Sequence, residues 1–332
     1  MDDVIHPSGR MDGRMDDVIH PSTRMHALTL SHLPRLAQLG FTEAMVTRFW
    51  RPFLGGIFFD NELGTTDRLL TFVMRCLATG QNCLPARGIG AVPAQLAAGL
   101  RAGTLRTGAR VASMAAGADG VGAEVRLENG DVITARRAVV LAVEGPEAVR
   151  LAPAQLAASP SAAGPGVGTV CVYFAAGDAS SVPREPILYL NGDGRGRLVN
   201  NACVPSAVAP SYAPPGGALI SASLVGVPPP GDALDPRTPA GEAALAAAVL
   251  AELRDWFGPD ATASWRHLRT YVVPFAQPAQ APPTVLQRPV RLAPWLFAAG
   301  DHREAATLDG ALRSGRRAAE AVLTELGTAA PK

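Results

Sequence analysis

Residues 294–322 constrain the fold more than any other stretch of this 332-residue chain. A short apolar run, 295–299, stops at Gly300-Asp301, a polar loop follows, and a glycine-containing helix is predicted from near Asp309. That order is a strand, an acidic turn and a helix whose N-terminus points back at the turn. Helix N-termini carry unpaired N–H groups and the positive end of the dipole, so they attract anions and polar cofactor edges. A carboxylate at the strand end can accept hydrogen bonds from sugar-like hydroxyls. The segment reads as half of a cofactor site. The plainer reading is an ordinary strand–loop–helix that closes an α/β domain.

Composition removes several function classes. With 48% hydrophobic and 18% charged residues, the chain can bury one large core or two modest ones. A net charge of +1 gives no global field toward nucleic acid or anionic membrane. No apolar run is long enough for a transmembrane segment, which needs ~18 residues. The four cysteines, Cys76, Cys83, Cys171 and Cys203, form no Cys-x-x-Cys pair and are expected to be reduced, mostly buried thiols. No His/Cys spacing suits a metal, and four of the six histidines precede residue 33. The only lysine is Lys332, which excludes a Walker loop or a Schiff-base lysine from the body of the chain.

Along the chain, residues 1–11 recur as 15–25 with only Gly9 and Thr23 differing, so 1–27 is expected to be a disordered, duplicated tail. Residues 28–83 show helical spacing, with Thr65-Thr66-Asp67 as N-cap candidates and an interruption expected at 51–59, where Pro52 and Gly55-Gly56 stand. Gly88-Ile-Gly90 lacks the third glycine of a dinucleotide fingerprint and reads as a turn into a helix at 92–100. Strands are expected within 84–145, with Glu128-Asn-Gly-Asp131 as a hairpin turn. Residues 146–290 read as an antiparallel sheet backed by a helix at 240–257, the last strand being 264–273 and 274–283 an extended loop. Residues 291–328 hold the closing strand and helix.

The spacing Gly300-Asp301, eight residues, then Gly310-Ala-x-x-Ser-Gly-x-x-Ala-Ala resembles the C-terminal FAD-binding segment of the flavin amine oxidase superfamily, which includes protoporphyrinogen oxidases and phytoene desaturase-like enzymes. Arg51-Pro-Phe-Leu-Gly-Gly-Ile-Phe-Phe59 and Trp265-Arg-His-Leu-Arg-Thr-Tyr271 resemble one branch of it. The resemblance implies an α/β (α+β) fold: a Rossmann-like FAD-binding domain beside an antiparallel-sheet and helical substrate domain. It implies that Gly300 and Asp301 meet the ribityl or pyrophosphate region of FAD. The backbone of Leu308, Asp309 and Gly310 would approach the flavin ring, Ala311 would open the helix, and Val111 would face the adenine. Tyr271, Phe275 and Gln277 would lie where a strand enters the substrate pocket, although packing at a strand end explains them equally well.

Members of the superfamily begin with a strand, a Gly-x-Gly-x-x-Gly turn and a helix that cradle the pyrophosphate. Nothing in this sequence matches that unit, so the Rossmann-like part is expected to be incomplete and FAD to bind weakly or not at all. No catalytic side chain stands out. The missing internal lysine favours desaturation or isomerisation of a large apolar small molecule over amine oxidation. A truncated, non-catalytic remnant or binding module is the competing expectation. A reducing compartment suits the cysteines, and the resemblance allows a plastid or a cytoplasm without choosing between them; the oligomeric state is left open.

Overall fold

The computed structural model describes residues 30–327 except 119, 121, 158, 160–163 and 195; the duplicated tail expected at 1–27 lies outside the described residues. The helices of seven or more residues are α1 (His32–Gln38), α2 (Arg51–Phe58), α3 (Asp67–Thr79), α4 (Ala91–Ala98), α5 (Gly145–Leu151), α6 (Pro239–Phe257) and α7 (Leu308–Glu325). The strands are β1 (Val111–Ala116), β2 (Ala123–Leu127), β3 (Val132–Ala135), β4 (Val139–Leu141), β5 (Gly166–Ala176), β6 (Leu188–Leu190), β7 (Asn201–Cys203), β8 (Ala218–Val225), β9 (Arg266–Pro278), β10 (Arg291–Ala293) and β11 (Leu296–Ala298). They form three sheets, ordered β1-β2-β3, β10-β11-β4 and β6-β7-β8-β5-β9. The fold is α+β.

The five-stranded sheet is antiparallel throughout. Alternation along β5 sends Val170, Val172, Phe174 and Ala176 to one face, where α6 lies on them with Leu245, Val249 and Leu253. That spacing of four puts the three side chains on one stripe of the helix. Thr238 caps α6 by accepting from the Gly241 N–H at 3.1 Å. A second cluster joins α1, α2 and α3 through Leu36, Trp50, Leu54, Phe58, Leu69 and Leu70, and reaches Ala305 in the loop before α7.

Two sequence expectations are corrected here. The expected interruption at 51–59 is helical: Pro52 stands just after the point where the helical run changes from π to α hydrogen bonding, a local widening of the kind that takes up a proline inside a helix. The π-helical stretch, Val46–Trp50, leads into α2, and Gly55 and Gly56 lie against Asn61, Asn200 and Asn201. The last strand does not end at 273 but runs to Pro278. It is an edge strand, where Pro274 and Pro278 forfeit no ladder bond on the open side. The cysteines are free but not mostly buried: Cys76, on the outer face of α3, and Cys83 are exposed, and Cys171 and Cys203 on the five-stranded sheet are half-buried. Among the described residues no helix is long and apolar enough to cross a membrane.

Candidate functional site

Strands β4 and β11 come from opposite ends of the chain and pair in parallel, with Leu296 opposite Val139 and Ala298 opposite Leu141. Both therefore leave the sheet at the same end. The crevice beyond the carboxyl ends of parallel strands is where α/β sheets bind ligands, because the loops there diverge. A cleft of about 440 Å³ occupies this position. Ala142, Val143 and Glu144 line it from the end of β4, Gly300 and Asp301 from the end of β11, and Ala276 and Gln277 from β9. The start of α7 closes it with Thr307, Leu308 and Ala311.

Local chemistry fixes this corner. Gly300 has φ of +145°, and a Cβ there would sit 2.7 Å from the His302 ring and 3.2 Å from the Val143 carbonyl oxygen. Only glycine lets the end of β11 pass so close to the end of β4. The buried Ser314 hydroxyl accepts from the Gly300 N–H at 2.8 Å and lies 3.0 Å from the Gly300 oxygen, tying the strand end to α7. Thr307 caps α7 by accepting from the Gly310 N–H at 2.9 Å. A Cβ on Gly310 would fall 2.0 Å from the Ala305 oxygen, so the capping loop folds flat onto the helix. The N–H groups of Leu308 and Asp309 find no acceptor among the described residues.

Charge is buried beneath the loop. Glu304, 2% exposed, pairs with Arg317, which also donates to the Arg288 carbonyl at 2.6 Å. Arg303, 4% exposed, donates to the Pro289 carbonyl at 3.3 Å and to Ser159 Oγ at 3.0 Å. Burial, with repulsion from Arg288 and Arg317, lowers the Arg303 guanidinium to about 10, so it stays protonated at neutral pH. Gln280 accepts from the Ala306 N–H through its side chain and from the Thr66 N–H through its carbonyl, both at 3.0 Å, which joins the helical layer to the cleft. Gln277 donates to the Ile57 carbonyl at 2.9 Å, and its Oε1 is buried without a partner.

The cleft gathers Gly300, Asp301, Leu308, Ala311 and Gln277 from the residues singled out in the sequence. Asp309 and Gly310 belong to the first turn of α7 but do not line it. Ala311 does not open the helix: Leu308 does, and the Ala311 N–H already bonds the Thr307 carbonyl at 2.9 Å. Val111 lies outside the cleft, packed on the cluster around Leu141 and Ala148, with its carbonyl accepting from Arg150 at 2.8 Å. Tyr271 is half-exposed on β9 against Tyr173, and the Phe275 ring covers the backbone of Gly166. Sequence reasoning missed Glu144, Ser314 and the Glu304–Arg317 pair. Only Ser314 had a visible signal: it stands in the Gly310-Ala-x-x-Ser-Gly spacing but was given no role there.

The wall offers carboxylates at Asp301 and Glu144, an orphan amide oxygen at Gln277 and free N–H groups at the start of α7. It suits a ligand with hydroxyls, a polar ring edge and an N–H of its own. Among the described residues no group of three or more His, Cys, Asp or Glu could hold a metal.

The profile of the family described as flavin containing amine oxidoreductase matches residues 18–323. An oxidoreductase from Methanosarcina mazei is similar in structure, with TM-score 0.63 and 16% identity, over 92% of this chain and 70% of that one. A reduced UDP-galactopyranose mutase is similar with TM-score 0.54 and 13% identity, over 94% of this chain and 72% of that one. At such identities the likeness concerns the fold. No curated protein sequence matches the chain.

Proposed function

This chain belongs to the family of flavin-containing amine oxidoreductases, and from that membership we propose that the cleft between β4, β11 and α7 holds the flavin of FAD. The observation that carries the proposal is the buried, unpartnered Gln277 Oε1 in a cleft that also presents Asp301, Glu144 and the free end of α7. A buried polar atom without a partner costs free energy, which a ligand N–H would recover. Asp301 and Glu144 would accept hydrogen bonds from ribityl hydroxyls, the Leu308 and Asp309 N–H groups would face a carbonyl edge, and Ala306 and Leu308 would keep water off the ring. A bound flavin supplies the hydride acceptor. The rest of the protein orients a C–H bond toward it. With no internal lysine available, desaturation or isomerisation suits the chain better than amine oxidation.

The described residues contain no second strand–glycine turn–helix unit for the pyrophosphate, so FAD is expected to bind this chain reversibly and weakly. Thermal unfolding with and without added FAD tests the reading, because a ligand of the native state raises stability by mass action. The melting temperature should rise with FAD. The Asp301→Ala variant should bind roughly tenfold to a hundredfold more weakly, in line with losing about 1.5–3 kcal/mol from a hydrogen bond to a charged group. No rise in the wild type would favour a non-catalytic binding module. A stoichiometric flavin retained through gel filtration would overturn the expectation of weak binding.

A further inference from the structure

The five-stranded sheet has two faces, and α6 covers only one. The other carries Cys171 and Tyr173 from β5, Ser221 from β8, Cys203 from β7, and Arg269 and Tyr271 from β9. Register places Tyr173 opposite Arg269 and Cys171 opposite Tyr271. The two tyrosine rings meet edge to face at 5.8 Å and 90°, and the Arg269 guanidinium stands 5.5 Å from the centre of the Tyr271 ring. The Cys171 thiol lies 3.3 Å from the Ser221 hydroxyl. None of these strand residues is a carboxylate, and Arg269 makes no ion pair among the described residues. Burial pushes the Tyr173 phenol up to about 12 and the Cys203 thiol up to about 11, so both are neutral at pH 7. Among the described residues, Arg269 and, further from the cleft, Arg266 opposite Ala175 are then the charges on a face otherwise made of aromatic, aliphatic, thiol and hydroxyl groups, and Arg269 is the one set against a ring.

The same strand leads to the cleft. Beyond Arg269, Tyr271 and Val273 stand 51% and 37% exposed, and Gln277 lines the cleft itself. Eight residues of strand separate Arg269 from Gln277, roughly 25 Å at ~3.3 Å per residue. A ligand that reaches from the guanidinium to the cleft is long, carries an anion at its far end and is apolar along its body. Arginine over an aromatic ring is a preorganised partner for a carboxylate, since its planar fork can donate two parallel hydrogen bonds.

We propose that the substrate of this site is a long-chain amphipathic carboxylate, its head bound by Arg269 and its apolar body laid along the exposed face of β9 toward the cleft. This rests on the reading of the cleft as the flavin site. It replaces a wholly apolar substrate with one that has a charged anchor.

Binding of the fluorescent long-chain polyene acid cis-parinaric acid, compared with its neutral methyl ester, tests the proposal on the whole chain. The acid should bind at least tenfold more tightly than the ester. Arg269→Gln should bring the two to equal affinity, and Arg269→Lys should restore part of the preference. Equal affinities in the wild type, or a preference that survives Arg269→Gln, would sink the idea. Circular dichroism of each variant separates loss of the anchor from loss of the fold. Titrating FAD in parallel keeps the two readings apart: acid preference without FAD binding defeats the flavin site alone, and FAD binding without acid preference defeats the anchor alone.

Discussion

The five-stranded sheet and the three-stranded β10-β11-β4 sheet are held together by different physics. The larger one is sealed by apolar contact: β5, β8 and α6 bury Phe174, Ile220, Leu245, Val249 and Leu253 to 1% exposure or less. The smaller one has strands of three residues, an outer edge on β4 unpaired among the described residues, and Val140 41% exposed beside it. Its connection to α7 combines a small apolar contact, Val290 and Ala299 with Ala318, and polar ties, Ser314 to Gly300, Thr307 to Gly310 and Glu304 to Arg317. The contrast separates a scaffold with one deep core from the corner proposed to bind the ligand, where small apolar clusters are supplemented by a few hydrogen bonds. Low local stability is common where ligands bind, because such elements must move or be completed by the ligand.

The largest effect that tests this contrast is a cavity in the scaffold. Phe174→Ala should lower unfolding free energy by about 3–5 kcal/mol, since it removes a fully buried ring and leaves a void. Urea denaturation would read this as a drop in midpoint over the whole molecule. A loss below about 1 kcal/mol would mean that the sheet and α6 do not form the dominant core.

Next comes the layer between the two regions. His32 is fully buried against Phe58, 5.0 Å ring to ring, with no hydrogen-bond partner for either nitrogen. Burial lowers it from 6.5 to about 4. The folded state thus keeps the ring neutral where the unfolded chain would protonate it. Stability is intact above pH 6.5, falls as pH drops from 6.5 toward 4, and stops changing below that. The total is on the order of 3 kcal/mol, from about 1.4 kcal/mol per pKa unit. His32→Leu should flatten the stability profile between pH 4 and 6.5, measured by denaturation at a series of pH values. An unchanged slope would assign the acid sensitivity elsewhere.

The same contrast explains what could be read in advance. β5, β8 and α6 follow from local pattern, alternation in the strands and a spacing of four in the helix, because each buries one face against one partner. The turn at Gly300-Asp301 and the helix after it were equally visible. The parallel pairing of β4 with β11 was not, since Val139 and Leu296 lie far apart in sequence and nothing local specifies the match. Pro52 misled because a proline breaks a regular helix interior, and nothing local announces the π-helical stretch Val46–Trp50 before it. Nothing in the sequence marks Glu304 and Arg317, thirteen residues apart, as partners. Only the folded loop shows that Glu304 is buried, with the half-buried Arg317 against it, and charge is normally buried only when paired.

The smallest predicted effect is the most diagnostic of the corner itself. Ser314→Ala removes one hydroxyl that serves both the N–H and the region of the carbonyl of Gly300. The Gly300 N–H is then left with no acceptor in a place that the Ser314 side chain, 0% exposed, keeps dry. Such a loss costs about 1–3 kcal/mol. Because the tie is local, the cost should appear as faster hydrogen exchange at the end of β11 and the start of α7, with little change in the exchange of β5 and β8. FAD binding should weaken in step, since Asp301 and the α7 N-terminus would no longer be held in register. Added FAD should restore part of the protection at α7 in the wild type more than in the variant. If exchange instead rose equally in β5 and β8, the corner would be part of one cooperative unit with the scaffold. The distinction between an apolar frame and a polar, ligand-completed corner would then fail.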